Sequence, residues 1–337
     1  MNDSKFYYIN IKVGDKCNLK CLYCIQNDEK KRKRDMPEEL NLDLIKFIRK
    51  RVKDRVIVHF SGGEPLLYYK IIKYIVGLLK HPNIEFSIET NGTLLTNDIV
   101  EWLNSNNFKV IVSWDGRHSN IIRGIDIFQN DILKKLVFKL NQVYLQGLIT
   151  SLSYPYELVM DFEQIYNEYI LLNPKGAMHK QICELTDFCI ENRDIMNLDF
   201  DKIKEDIYTL KKNNYGNWFL DNYNMRFTKD KLSTRYAGFI KINNIFVDLA
   251  GNLFPLTTSR IILGNISTMS DAEYIQKCSE FDIINEKFND GCDICKYRNV
   301  CTNYNRMMYI SSIGGDRILT CRLKKIIYDT VISFNTL

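Results

Sequence analysis

From residue 7 onward the chain alternates short apolar runs with amphipathic segments, and this alternation limits the fold more than any other feature. Residues 7–13 read as a strand, and 42–52 as a helix with Asn41 as its cap. A buried strand follows at 56–60, ending at Gly62 and Gly63. Residues 71–79 read as helix, 84–89 as a strand ending in Asn91-Gly92, and 98–104 as helix. Next come a strand at 110–114 ending in Asp115-Gly116, a helix at 131–145, a strand at 148–153 and a helix at 158–171. A sixth strand is expected near 181–185. Alternation at this spacing predicts an α/β fold, a parallel sheet wrapped by helices. The polar and glycine residues fall at the strand C-terminal ends, where barrel enzymes keep their sites.

The pattern breaks at 215–235, which is rich in Asn, Tyr and Arg. Beyond it, 239–248 and 252–255 flank Ala250-Gly251 as a β-hairpin, and a loop-rich, cysteine-bearing region follows. The expected division is 1–215 for the core, 216–235 as a bridge and 236–337 as a small second domain.

A chain of 337 residues, 45% apolar and 26% charged, can bury a sizeable core and is not of disordered composition. The net charge of +5 is mild and does not imply nucleic acid; solvated surface accounts for it as well as an acidic partner does. No signal-peptide pattern opens the chain and no apolar run reaches membrane-spanning length. The expected location is therefore the cytoplasm, where disulfides rarely persist. Ten cysteines then need another role. Cys17, Cys21 and Cys24 group at one end and Cys292, Cys295, Cys301 and Cys321 at the other, which reads as two metal centres.

A structural zinc site needs four protein ligands, and no fourth ligand lies near the first group. Three thiolates suit a [4Fe–4S] cluster with one iron left open for a ligand. About forty residues on, the second strand ends in Ser61-Gly62-Gly63-Glu64-Pro65. Cysteines spaced by three and two residues, with aromatic Tyr23 before the last, followed by this segment, resemble the radical S-adenosylmethionine (SAM) superfamily. The resemblance implies a partial (β/α)6 TIM-like barrel. It implies that Gly62, Gly63, Glu64 and Pro65 meet the methionine end of SAM, Glu64 offering an acceptor to its ammonium. Glu89-Thr90-Asn91-Gly92 is similar to the family's "TNG" segment, and Ser113-Trp114-Asp115-Gly116 to its "S-x-D-G" segment, whose serine often meets the SAM ribose. Arg123 falls where relatives place an arginine for the SAM carboxylate. Taken alone, Asn91-Gly92 and Asp115-Gly116 would read as turns. The implied chemistry is reductive cleavage of SAM to a 5′-deoxyadenosyl radical, with a flavodoxin or ferredoxin as electron donor.

Behind such a core, Cys292-x-x-Cys295, Cys301 and Cys321 resemble the distal cluster ligands of a SPASM domain, so a second, auxiliary [4Fe–4S] cluster is implied; four thiolates would also suit zinc. The proximal set is broken: Arg235, Leu256 and Asn305 stand at cysteine positions. The hairpin scaffold persists in Asp248, Gly251, Phe254-Pro255 and Leu263-Gly264-Asn265-Ile266.

SPASM enzymes mostly modify peptides and proteins. Leu256-Thr257 replaces the Cys-Asp of the sulfatase-maturing type, which counts against that reaction. The favoured expectation is hydrogen abstraction from a peptide, giving crosslinking or epimerisation. The alternatives are maturase-like or small-molecule dehydrogenation, and a cluster-bearing accessory protein without chemistry. Sixteen residues precede Cys17, so leader recognition is expected from a separate protein or the SPASM surface, or no leader is used at all. Cys183, near the end of the sixth strand, is the best-placed thiol to return a hydrogen atom; a buried inert thiol is the plainer reading of Cys183, Cys189 and Cys278 alike. The run Lys30-Lys31-Arg32-Lys33-Arg34 and the aromatics at Tyr154, Tyr156 and 218–223 have surface and core explanations.

Overall fold

The computed structural model describes residues 6–24, 34–184, 193–224, 244–254, 262–286, 294–297 and 317–333. Six strands pair in chain order, all parallel: β1 (Phe6–Lys12), β2 (Arg55–Ser61), β3 (Ile84–Thr90), β4 (Lys109–Ser113), β5 (Gln142–Ile149) and β6 (Ala177–Glu184). Helices α1 (Glu38–Arg49), α2 (Tyr69–Leu79), α3 (Asn97–Ser105), α4 (Ser119–Arg123), α5 (Asp131–Phe138) and α6 (Pro155–Leu172) fill the crossovers. Among the described residues β6 is an edge strand and does not reach β1, so the sheet curls into a partial barrel.

The apolar side chains explain this layering. Ile9 and Ile11 of β1, Val56, Val58 and Phe60 of β2, Val110 and Val112 of β4, and Val143 and Leu145 of β5 are almost fully buried. They recur at every second residue, so they share one face of the sheet. Against them pack Leu44 and Ile48 of α1, Ile72, Ile75 and Leu79 of α2, and Leu158, Phe162 and Ile165 of α6. Phe60, Phe86 and Phe108 stack with centroids 5.5–6.4 Å apart, and Trp102 closes the row. Each such side chain stabilises the fold by roughly 1.5–3 kcal/mol.

Three readings need correction. The helix expected at 131–145 is α5 followed by β5, and the strand expected at 148–153 is the end of β5 plus a turn. Alternating burial of Val143, Leu145 and Ile149 against half-buried Tyr144, Gln146 and Leu148 is a strand period, hidden because it continues the apolar run Leu136-Val137-Phe138. Residues 150–153 turn instead, Thr150 and Ser153 bonding through backbone and hydroxyls. Asn41 does not cap α1: the helix begins at Glu38 behind extended Pro37, which leaves Asn41 buried inside it.

The expected hairpin forms as β7 (Asn244–Val247) and β8 (Asn252–Phe254), with β9 (Gly264–Asn265) beside β8. Asp248 builds the turn, its Oδ1 accepting from the amides of Ala250 and Asn252 at 2.9 Å, while Gly251 takes φ +75°. β7 pairs parallel to β1, so the hairpin extends the core sheet. Helices α7 (Phe200–Lys212), α8 (Asn217–Asn224), α9 (Asp271–Glu286) and α10 (Arg317–Ser333) complete the described residues. α10 packs on α7 and α8, and buried Arg51, in the turn just after α1, reaches Asp271 of α9 at 2.8 Å. No described helix is long and apolar enough to cross a membrane.

Candidate active site

At the C-terminal ends of β1 to β5 lies a cavity of about 190 Å³. Cys17, Cys21 and Cys24 line it together with Tyr23, Gly62, Gly63, Glu64, Pro65, Thr90, Asn91, Ser113 and Arg123. Five separate stretches of sequence thus meet in one place.

Backbone contacts fix the cysteine loop to the segment after β2. The amide of Gly63 donates to the Gly14 carbonyl at 3.0 Å, and that of Glu64 to the Lys16 carbonyl at 2.8 Å. A Cβ on Gly62 would lie 2.4 Å from the Gly14 carbonyl oxygen, and one on Gly63 only 2.1 Å from that of Lys16. The two glycines therefore let the loop that carries the cysteines approach, a role beyond close approach to a ligand.

Glu64 is 1% exposed. Its Oε1 accepts from the Leu66 amide at 3.0 Å and the Thr90 hydroxyl at 2.7 Å, and its Oε2 from the Asn91 amide at 2.8 Å. Burial pushes this carboxyl up to about 6 despite those three donors. The side chain ties the end of β2 to the end of β3. Asn91 continues the chain of contacts, donating to Asn18 Oδ1 at 2.9 Å and reaching Cys17 Sγ at 3.9 Å.

On the opposite wall the cysteine loop docks on α4. The Leu22 amide donates to the Ile122 carbonyl at 2.8 Å, and Cys21, Tyr23, Ile122 and Ile195 form a small buried cluster. Asp115 is fully buried and lies behind the cavity wall. Its Oδ2 accepts from Tyr23 at 2.9 Å and from Arg123 Nε at 2.6 Å, and its Oδ1 from the Leu148 amide at 3.0 Å. Arg123 Nη2 also meets the Tyr23 hydroxyl, while Nη1 lies 4.0 Å from Cys21 Sγ. Burial pushes the Cys21 thiol up to about 11, against the pull of the Arg123 charge. Cys17 is raised too, again chiefly by burial.

Ser61, Glu89, Gln146 and Leu148 also line the cavity; the motifs contain Ser61 and Glu89 without giving either a role, and contain neither Gln146 nor Leu148. Glu89 accepts from Gln146 at 3.1 Å and from Ser113, and burial raises its carboxyl. Glu89 precedes Thr90-Asn91 directly, which was the available signal. Cys183 is half-buried and pairs in register with Leu148, so it shares the cavity-side face of the sheet. Cys295 and Cys321 are half-buried. Cys292, Cys301, Cys189, Arg235, Leu256, Thr257, Asn305, Pro255 and Lys30 to Lys33 lie outside the described residues.

The donor set suits a four-iron cluster. Among the described residues no three His, Cys, Asp or Glu side chains stand close enough to hold a single metal ion. The three N-terminal thiols share a cavity and feel one another's charge without converging on one point, as ligands of separate irons must.

Comparison with known proteins agrees. Residues 11–125 match the family model described as the radical SAM superfamily. The radical SAM cyclopropyl synthase TigE of Paramaledivibacter caminithermalis is 30% identical over 184 residues, 47% of this chain and 39% of that protein. A GTP 3′,8-cyclase of Cronobacter sakazakii is 30% identical over 131 residues, 37% of this chain and 40% of that one. The chain thus spans about two fifths of the length of the curated relatives it matches. Among solved structures, anSMEcpe with bound AdoMet superposes with a TM-score of 0.69 at 19% identity, covering 98% of this chain and 97% of that one. SuiB of Streptococcus suis bound to its precursor peptide SuiA gives 0.63 at 15%, covering 89% and 72%. These likenesses show a shared fold.

Proposed function

Because residues 11–125 match the radical SAM family model, we propose that the chain abstracts hydrogen from a peptide, leading to a crosslink or an epimerised residue. The observation that carries this is the single cavity shared by Cys17, Cys21, Cys24 and the residues after β2, β3 and β4. When bound there, a [4Fe–4S] cluster and SAM would supply one-electron cleavage of the sulfonium and a 5′-deoxyadenosyl radical. Cys17, Cys21 and Cys24 would hold the cluster. The segment from Gly62 to Pro65, with Thr90 and Asn91, would hold the methionine end of SAM, and Ser113 the ribose. A flavodoxin- or ferredoxin-like donor would supply the electron.

A peptide target is supported by the fold shared with SuiB, solved with a precursor peptide, and with anSMEcpe, solved with the Cp18Cys peptide. Cys183, on the cavity-side face beside Leu148, would be the hydrogen donor in an epimerisation. Cys292, Cys295, Cys301 and Cys321 would hold one auxiliary cluster. A second reading, hydrogen abstraction from a small molecule, draws on the similarity to a GTP 3′,8-cyclase.

Anaerobically reconstituted protein, given SAM and dithionite, is expected to release 5′-deoxyadenosine. None from protein with an intact cluster would overturn the enzyme reading. Iron analysis is expected to give about eight irons per chain; about four with one zinc would remove the auxiliary cluster. Mass spectrometry of short peptides encoded beside the gene, after incubation with the enzyme, separates peptide from small-molecule targets.

A further inference from the structure

Arg123 is buried at 9% exposure at the end of α4, where Gly124 at φ +81° stops the helix. Its guanidinium is held from two sides. Nε lies 2.6 Å from Asp115 Oδ2, and Nη2 meets the Tyr23 hydroxyl, which itself donates to Asp115 at 2.9 Å. The remaining nitrogen, Nη1, is turned to Cys21 Sγ at 4.0 Å. The ion pair is thus oriented: its carboxylate lies behind the cavity wall and its positive end faces a cysteine of the cluster loop. Asp115 has no freedom to turn, because its other oxygen takes the Leu148 amide at 3.0 Å. Tyr23 sits in the same loop as Cys21, so the loop and the guanidinium are positioned by one network.

We propose that Arg123 is a positioning residue that sets the reduction potential of the N-terminal cluster, acting through Cys21, with Asp115 and Tyr23 holding its charge toward the sulfur. This rests on the assignment of a [4Fe–4S] cluster to Cys17, Cys21 and Cys24. The reduction adds one electron and breaks no bond. A positive charge beside a thiolate ligand favours the more negative, reduced cluster, and net charge and hydrogen bonds at the sulfurs are what tune such potentials. The role differs from gripping the SAM carboxylate, since it operates before SAM binds.

The test is a redox titration of reconstituted protein without SAM, followed by the electron paramagnetic resonance signal of the reduced cluster. To keep one signal, it is run on the wild type, Arg123→Gln, Arg123→Lys and Asp115→Asn with the C-terminal cysteines replaced. Arg123→Gln is expected to lower the reduced-to-oxidised ratio at a fixed poise by about tenfold, equivalent to 59 mV for a one-electron couple. Arg123→Lys, which keeps the charge, is expected to shift it less. Asp115→Asn removes the opposing charge and is expected to shift the potential the other way. Opposite shifts would not follow from mere loosening of the loop. An unchanged potential in Arg123→Gln at full iron content, or a shift of the same sign in Asp115→Asn, overturns the proposal. Should Arg123→Gln lose its iron, Asp115→Asn decides: a rise supports the proposal, and no change or a fall refutes it. Wild-type protein that takes up no iron would instead refute the cluster assignment itself.

Discussion

The two faces of the barrel sheet are built from the same strands and obey different rules. Toward the helices, β2 presents Val56, Val58 and Phe60, all at 0% exposure. On the inner face it presents His59 and Ser61, and its neighbours add Ser87, Glu89, Ser113 and Gln146; of these Ser61, Glu89, Ser113 and Gln146 line the cavity. Barrels usually fill their interior with branched apolar side chains. Here many inner residues are polar and partnered: His59 Nδ1 meets Ser87 Oγ at 2.9 Å, and Ser61 Oγ donates to Asn10 at 2.5 Å. The outer face carries the fold and the inner face with its rim carries the site, so stability and chemistry can be removed separately.

The largest expected effect is at the rim. Cys21→Ala is expected to remove about four irons per chain and to abolish 5′-deoxyadenosine formation. Its urea midpoint, measured without iron, should stay close to that of iron-free wild type, because the small cluster around Cys21 lies apart from the main core. On the outer face, Phe60→Ala opens a hole in the stack with Phe86 and Phe108 and is expected to cost about 3–5 kcal/mol in urea denaturation. The surviving folded fraction should still bind iron. Loss of iron stoichiometry in that fraction would break the separation of the two faces.

This division also explains what could be read beforehand. The strands of β1 to β4 and the rim motifs were legible because apolar runs end in glycine-bearing turns: Gly62-Gly63, Asn91-Gly92, Asp115-Gly116. β5 was misread because Leu136-Val137-Phe138 leads into it with no glycine or proline to stop the helix, and because its inner face offers Tyr144 and Gln146, which suit either structure. Gln146 and Leu148 stand in no motif, because lining a cavity is decided by register between strands, which local pattern does not encode; Ser61 and Glu89 stand inside motifs that assign them no role. The Asp115–Arg123–Tyr23 network joins residues 92 and 100 positions apart; the motifs named its members, and only the fold shows that they hold one another.

A smaller effect tests whether Glu64 belongs to both regions. Its carboxyl is raised to about 6 in the fold, from about 4.3 in an unfolded chain. The unfolded state therefore ionises first as pH rises, and stability from this group is lost between those two values. The wild type should gain about 2 kcal/mol over Glu64→Gln as pH falls from 7 to 4. Glu64→Gln should also cost about 1–3 kcal/mol at pH 7, since one of three donors would face an amide NH₂. Paired urea curves at several pH values measure both. A parallel pH dependence in the two proteins would mean that burial does not desolvate the carboxyl strongly enough to outweigh its three hydrogen-bond donors.

The smallest expected effect is at Glu89, set against its neighbour Ile88 in β3. Ile88 is fully buried on the outer face; Glu89 faces the cavity, where burial raises its carboxyl and Gln146 and Ser113 donate to it. Ile88→Ala should cost about 2–5 kcal/mol. Glu89→Gln removes a charge on a side chain that is still 41% exposed and keeps the shape, and the Gln146 amide can turn to pair with it. The change should therefore leave stability close to unaltered, while site function falls, the usual relation between stability and a polar site. Urea midpoints of the two variants decide the matter. If Glu89→Gln costs as much as Ile88→Ala, the inner residues are structural supports and the contrast between the faces fails at the position where it should be sharpest.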